Sequence, residues 1–89
     1  MNKREEAILE DVIEACMSIM KAIKGYKPPA SGAALMITMA IVAQEDGRSR
    51  EQLMASISRM LYQNWSIFTR DNLEQSIEVI NQRKKKRMN

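Results

Sequence analysis

The chain has no histidine and a single cysteine, Cys16, among its 89 residues. Without histidine the commonest general base and metal ligand is missing. One cysteine cannot close an intramolecular disulfide, so the expected setting is a reducing one, the cytoplasm. One Cys and no His give no zinc constellation, and no calcium-loop spacing occurs. No P-loop, GxSxG or GxGxxG motif is present. Cys16 falls among apolar residues, where a free cysteine packs as a small core side chain. Catalysis, a metal and a cofactor are therefore not expected.

Other scarcities bound the fold. There are only three Gly and two Pro, and aromatics make up 4% of the chain. No stretch alternates apolar and polar residues as a half-buried strand would. The longest nearly apolar run, residues 33–43, is broken once by Thr38 and falls well short of the roughly 20 residues a membrane span needs. The opening Met-Asn-Lys-Arg-Glu-Glu is followed by no apolar segment of a signal peptide.

What remains is 45% hydrophobic and 28% charged, with eight methionines, a globular composition. The patterns predict four helices, at about 3–24, 32–45, 50–64 and 70–86, in a single domain spanning 1–89. In the first, Leu9, Val12, Cys16, Ile19 and Ile23 recur at spacings of three and four, the seam of a packed helix, widened by Ile8, Ile13 and Met20. Glu10, Asp11, Glu14, Ser18 and Lys21 are assigned to its opposite, solvent side. Gly25 stops this helix, and residues 25–31, with Pro28 and Pro29, read as a linker. Ser31 is the expected N-cap of the second helix, which has almost no polar face and stops at Asp46-Gly47. Ser49 with Gln52 forms a capping-box pattern for the third helix, and Thr69 with Asn72 a weaker one for the fourth. These two starts match at a separation of twenty residues, which reads as convergent start signals rather than a duplication. The fourth helix has a narrow apolar stripe, Leu73, Ile77 and Ile80, and is expected at the edge of the domain.

The expected class is all-α, a small bundle of about four helices. A domain of this size buries only about 60% of its unfolded surface, so oligomerisation is expected to complete the core. The second helix is too apolar for so small a monomer to cover, which points to a homo-oligomer with the first two helices at its interface.

Three groups are candidate binding residues. The first is a run of five cations, Arg83, Lys84, Lys85, Lys86 and Arg87. The chain is +3 overall, but without this run its 9 basic residues fall short of 11 acidic ones. Such a run contacts phosphates of nucleic acid or lipid, or simply satisfies the negative end of a helix dipole. The second group is Lys24, Tyr26 and Lys27, just before a helix start at Ser31–Ala34 whose open N–H groups could hold an anion. The third is Tyr62, Trp65 and Phe68 with Arg70, residue types enriched at binding hot spots or used to pin a corner between helices.

The leading functional expectation is a small, non-catalytic regulatory or interaction protein of the accessory kind that phages and plasmids encode. It would bind a macromolecular partner, another protein, through helical surfaces. The alternatives are a nucleic-acid binder using the basic tail, and peripheral membrane attachment or phosphate-ligand binding. A helix-turn-helix reading of the second and third helices is opposed by Glu51, which would repel phosphates at the start of the recognition helix.

Overall fold

The computed structural model describes residues 2–88. Among them are four α-helices and no strand: α1 (Lys3–Ala22), α2 (Pro28–Glu45), α3 (Arg50–Asn64) and α4 (Arg70–Met88), with a 3-10 turn at Trp65–Ile67. The all-α class expected from the pattern is what the chain adopts. The helices pair into two compact units. One joins α1 to α4 and spans residues 2–24 and 66–88; the other, Gly25–Trp65, joins α2 to α3.

Each helix start has a local cause. The Asn2 side chain accepts a 2.8 Å hydrogen bond from the Glu5 N–H and caps α1. Ser49 and Gln52 form the full reciprocal capping box of α3: the Gln52 N–H donates to Ser49 Oγ at 3.1 Å, and the Ser49 N–H donates to Gln52 Oε1 at 2.9 Å. At α4 only half of that motif forms. Thr69 Oγ1 accepts from the Asn72 N–H at 3.2 Å, but the Thr69 N–H donates to the Ile67 carbonyl at 3.0 Å rather than to the Asn72 side chain, whose amide donates to the same carbonyl at 2.8 Å.

The start of α2 differs from expectation. The helix begins at Pro28 with Lys27 as N-cap, so the linker is shorter than 25–31 and Ser31 is not the cap. Both prolines occupy the first two helical positions, where the missing N–H has no helical partner to lose and the fixed φ is already helical. The Ser31 N–H donates to the Lys27 carbonyl at 3.0 Å, an ordinary turn of helix.

The ends are made by glycines in the left-handed region. Gly25 has φ 94° just after α1, which closes at Ala22 instead of continuing to Lys24. Gly47 has φ 73°, its N–H donating to the Gln44 carbonyl while the Arg48 N–H donates to Ala43, the paired bonds of a Schellman cap. That cap is anchored at Ala43, the single buried apolar residue of its unit at 7% exposure. In the other unit the buried apolar residue is Ile80, at 4%. α4 therefore carries the best-shielded side chain among the described residues.

Replacing Ser49 by Ala is expected to lower stability by about 1 kcal/mol through loss of the cap. Ser31→Ala, inside a helix already begun, is expected to change stability by less than about 0.5 kcal/mol. Urea unfolding of the two variants measures both, and equal losses would put the start of α2 back at Ser31.

Candidate functional site

The pairing of α1 with α4 decides where the basic run lies. The less exposed face of α4 runs through Leu73, Ile77 and Ile80. Those residues keep the spacing of four and three, and Lys84 and Arg87 continue it. Lys84 Nζ donates to Glu14 Oε1. Arg87 Nη2 reaches both oxygens of Glu10, at 3.1 and 3.3 Å. The rising numbers on one helix against falling numbers on the other make the pair antiparallel. The acidic start of α1 thus lies along the basic end of α4.

On α1 the half-buried face runs through Glu6, Glu10, Ile13, Met17 and Met20. This is not the stripe that hydropathy alone suggested. Leu9, Val12 and Ile19 are exposed, while Glu10 and Glu14, assigned to the solvent side, turn toward α4. The Glu10 side chain is only 13% exposed. A carboxylate so covered needs a partner, and Arg87 supplies it. Rotating α1 to bury Leu9 and Val12 would carry Glu10 away from that partner. Cys16 and Ile23 stay half-buried, as expected for their place beside the contact.

The five cations therefore separate into two kinds. Lys84 and Arg87 hold carboxylates of α1. Arg83, Lys85 and Lys86 make no ion pair among the described residues. Arg83, Lys86 and Arg87 line an open groove with Lys3, Glu6, Ala7 and Glu10. Its lining carries four cations and two carboxylates, a formal +2.

Lys24, Tyr26 and Lys27 of the second candidate group are all exposed. Lys24 belongs to the α1–α4 unit, and Tyr26 and Lys27 to the other. Because α2 begins at Pro28, two of its first three positions lack an N–H, and the Ser31 N–H is already taken by Lys27. The open donors expected at Ser31–Ala34 are part of the helix ladder. An anion site there loses its basis.

The third group also divides between the units, with Tyr62 and Trp65 in the α2–α3 unit and Phe68 and Arg70 in the α1–α4 unit. Trp65, at the C-cap of α3, keeps helical dihedrals of φ −51° and ψ −46°. It therefore stands one turn beyond Tyr62 on the same side of the helix. Tyr62 is 92% exposed and Trp65 73%. Met54 and Leu61 fall at helical spacing from Trp65 and are exposed as well. Together the four form an apolar and aromatic stripe, adjacent to the half-buried face of Leu53, Ile57 and Asn64. Neither Met54 nor Leu61 is among the candidate binding residues read from the sequence. The signal that could have found both was their spacing of eleven and four residues from Trp65.

At the helix-turn-helix candidate, Arg50 Nη2 lies 3.2 Å from the neighbouring Glu51 carboxylate, which offsets the charge that would meet a phosphate. Among the described residues no helix is long and apolar enough to cross a membrane, and no group of three acidic or cysteine side chains could hold a metal ion. No known protein family matches the chain, and neither does any curated protein or solved structure.

Arg87→Ala is expected to cost about 1 kcal/mol of stability, because it strands the covered Glu10 carboxylate. Lys85→Ala is expected to cost less than about 0.5 kcal/mol. In a double-mutant cycle of Arg87→Ala with Glu10→Gln, read by denaturant unfolding, the second change recovers most of the first loss.

Proposed function

We propose that the chain is a small, non-catalytic interaction protein of the cytoplasm, which binds another protein through the outer face of α3. The supporting observation is the exposure of Trp65 and Tyr62 on one face of that helix, beside Met54 and Leu61. A chain with one tryptophan ordinarily uses it in the core, since indole carries the largest apolar area of any side chain. Trp and Tyr are also the residues that dominate binding energy at interfaces, where their rings bury much area for little loss of rotamer freedom. Methionine beside them lends an adaptable contour. The occupant that suits this stripe is an apolar groove on a folded protein, entered by a helix face.

Phe68 and Arg70 follow Trp65 closely in the chain and are assigned to the same partner as flanking contacts. The lone, half-buried Cys16 suits a reducing compartment. The tail as a nucleic-acid contact is the weaker reading, since Lys84 and Arg87 are engaged with Glu14 and Glu10.

Because Trp65 is the only indole, its fluorescence reports the stripe directly. The free chain is expected to emit as solvated indole and to be quenched readily by iodide; bound partner is expected to shift emission to the blue and shield it. Trp65→Ala is expected to weaken partner capture at least tenfold, about 1.4 kcal/mol, with helix content unchanged. Equal capture by Trp65→Ala and the native chain would refute the assignment. Loss of capture only on neutralising Arg83, Lys85 and Lys86, with steep salt dependence, would favour the tail instead.

A further inference from the structure

The α3 stripe leaves a second apolar surface unexplained. α2 packs against α3 near Ala40 and Ala43, yet Leu35, Met36, Ile37, Met39, Ile41 and Val42 are all exposed. On the side away from Ala43, residues Ala30, Ala34, Ile37 and Ile41 recur at spacings of four, three and four, the seam of a helix that meets another helix. All four are exposed. From Pro28 to Gln44 the helix carries no charged side chain. Its central polar residue needs no outside partner either: Thr38 Oγ1 donates to the Ala34 carbonyl at 2.8 Å. A helix whose polar groups are satisfied internally is fit to be covered on this side.

We propose that the occupant is a second copy of this chain, its α2 lying antiparallel to the first across a two-fold axis. Two features of the surface select a copy of itself. A face without charge can meet its own image with no like-charge cost, which a symmetric contact otherwise risks. Its ends are complementary: Lys27 precedes the helix and Glu45 closes it, while Asp46 is already paired with Arg48. Antiparallel order brings each Lys27 to the other copy's acidic end, whereas parallel order sets like against like. Of the six large exposed side chains, Ile37 and Ile41 stand on this side, between Ala30, Ala34 and Thr38. Ile37 stands at the middle of Pro28–Glu45, so in this arrangement it lies beside the axis and meets its own mate.

The proposal concerns a different face from the α3 stripe, and Trp65→Ala is expected to leave the dimer intact. Light scattering on the native chain at about 50 µM is expected to give twice the 10.2 kDa chain mass. Ile37→Lys is expected to weaken association at least tenfold with helix content unchanged. If that variant unfolds, cysteine probes decide. In a Cys16→Ser background, Ile37→Cys is expected to form an interchain disulfide on mild oxidation, while Ala30→Cys, distant from the axis, is not. A monomer at that concentration, a dimer indifferent to Ile37→Lys, or crosslinking equal at both probes would overturn the proposal.

Discussion

Two helices laid side by side shield one stripe of each other and leave the rest of both in water. Both units of this chain meet that constraint, and most of its surface follows from it. Each unit has one buried apolar residue among those described, Ile80 in one and Ala43 in the other. A layered domain normally encloses its core between elements on several sides. Here each pair forms a seam rather than a core. The exposed aliphatic side chains of α1, α2 and α3 are the faces such pairing cannot reach. Fully burying a Leu or Ile is worth about 1.5–3 kcal/mol. An unpaired face of several such residues therefore represents a large share of the 5–15 kcal/mol that stabilises a whole domain. That is the thermodynamic reason to look to further association.

Within the α1–α4 unit the seam changes character along its length. Half-buried Ile13, Met17 and Met20 occupy one stretch of the α1 face, and Leu73, Ile77 and Ile80 form the apolar stretch of α4. Farther along, the same face of α1 offers Glu10 and Glu14, and that of α4 Lys84 and Arg87. Apolar contact is tolerant of sliding, since one Met or Ile serves nearly as well as the next. Paired charges are not: moving α4 by one turn would set Arg87 beyond Glu10 and leave a covered carboxylate alone. The ion pairs therefore add little to stability through their exposed members but strongly penalise other registers. Two of the five cations, Lys84 and Arg87, thus act as a registration device within the chain.

How far the sequence anticipated this depends on whether a feature is local or pairwise. Ser49 with Gln52, Gly25 and Gly47 were legible because a cap or a left-handed turn is decided within a few residues. Pro28 and Pro29 are local too, but ambiguous: the same residue that breaks a helix in its interior opens one at its first turn. The face of α1 was misplaced by about one residue for a different reason. Hydropathy ranks Leu9, Val12 and Ile19 above Glu10 and Ile13, and within α1 alone that ranking is sound. Its orientation is set by cations some seventy residues later in the chain, which the periodicity of one helix cannot register. Nor could composition decide between a buried and an exposed Trp65; only the position of the α3 face against α2 resolves it.

Charge is distributed unevenly between the two units, and the division matches what each face can do. α1 and α4 carry most of the chain's charge, acidic through the first half of α1 and basic at the end of α4, which keeps them solvated. α2 has no charged side chain until its last residue, and α3 gathers an exposed Trp, Tyr, Met and Leu stripe. A chain under selection only for solubility would place at least one lysine or glutamate on α2, since its exposed positions offer the room and the substitution would cost little in packing. The exposed positions of α2 before Glu45 are instead uncharged and largely apolar, and Thr38 gives its proton to the turn below. The aromatic stripe of α3 contains the polar Ser58, at helical spacing between Met54 and Tyr62.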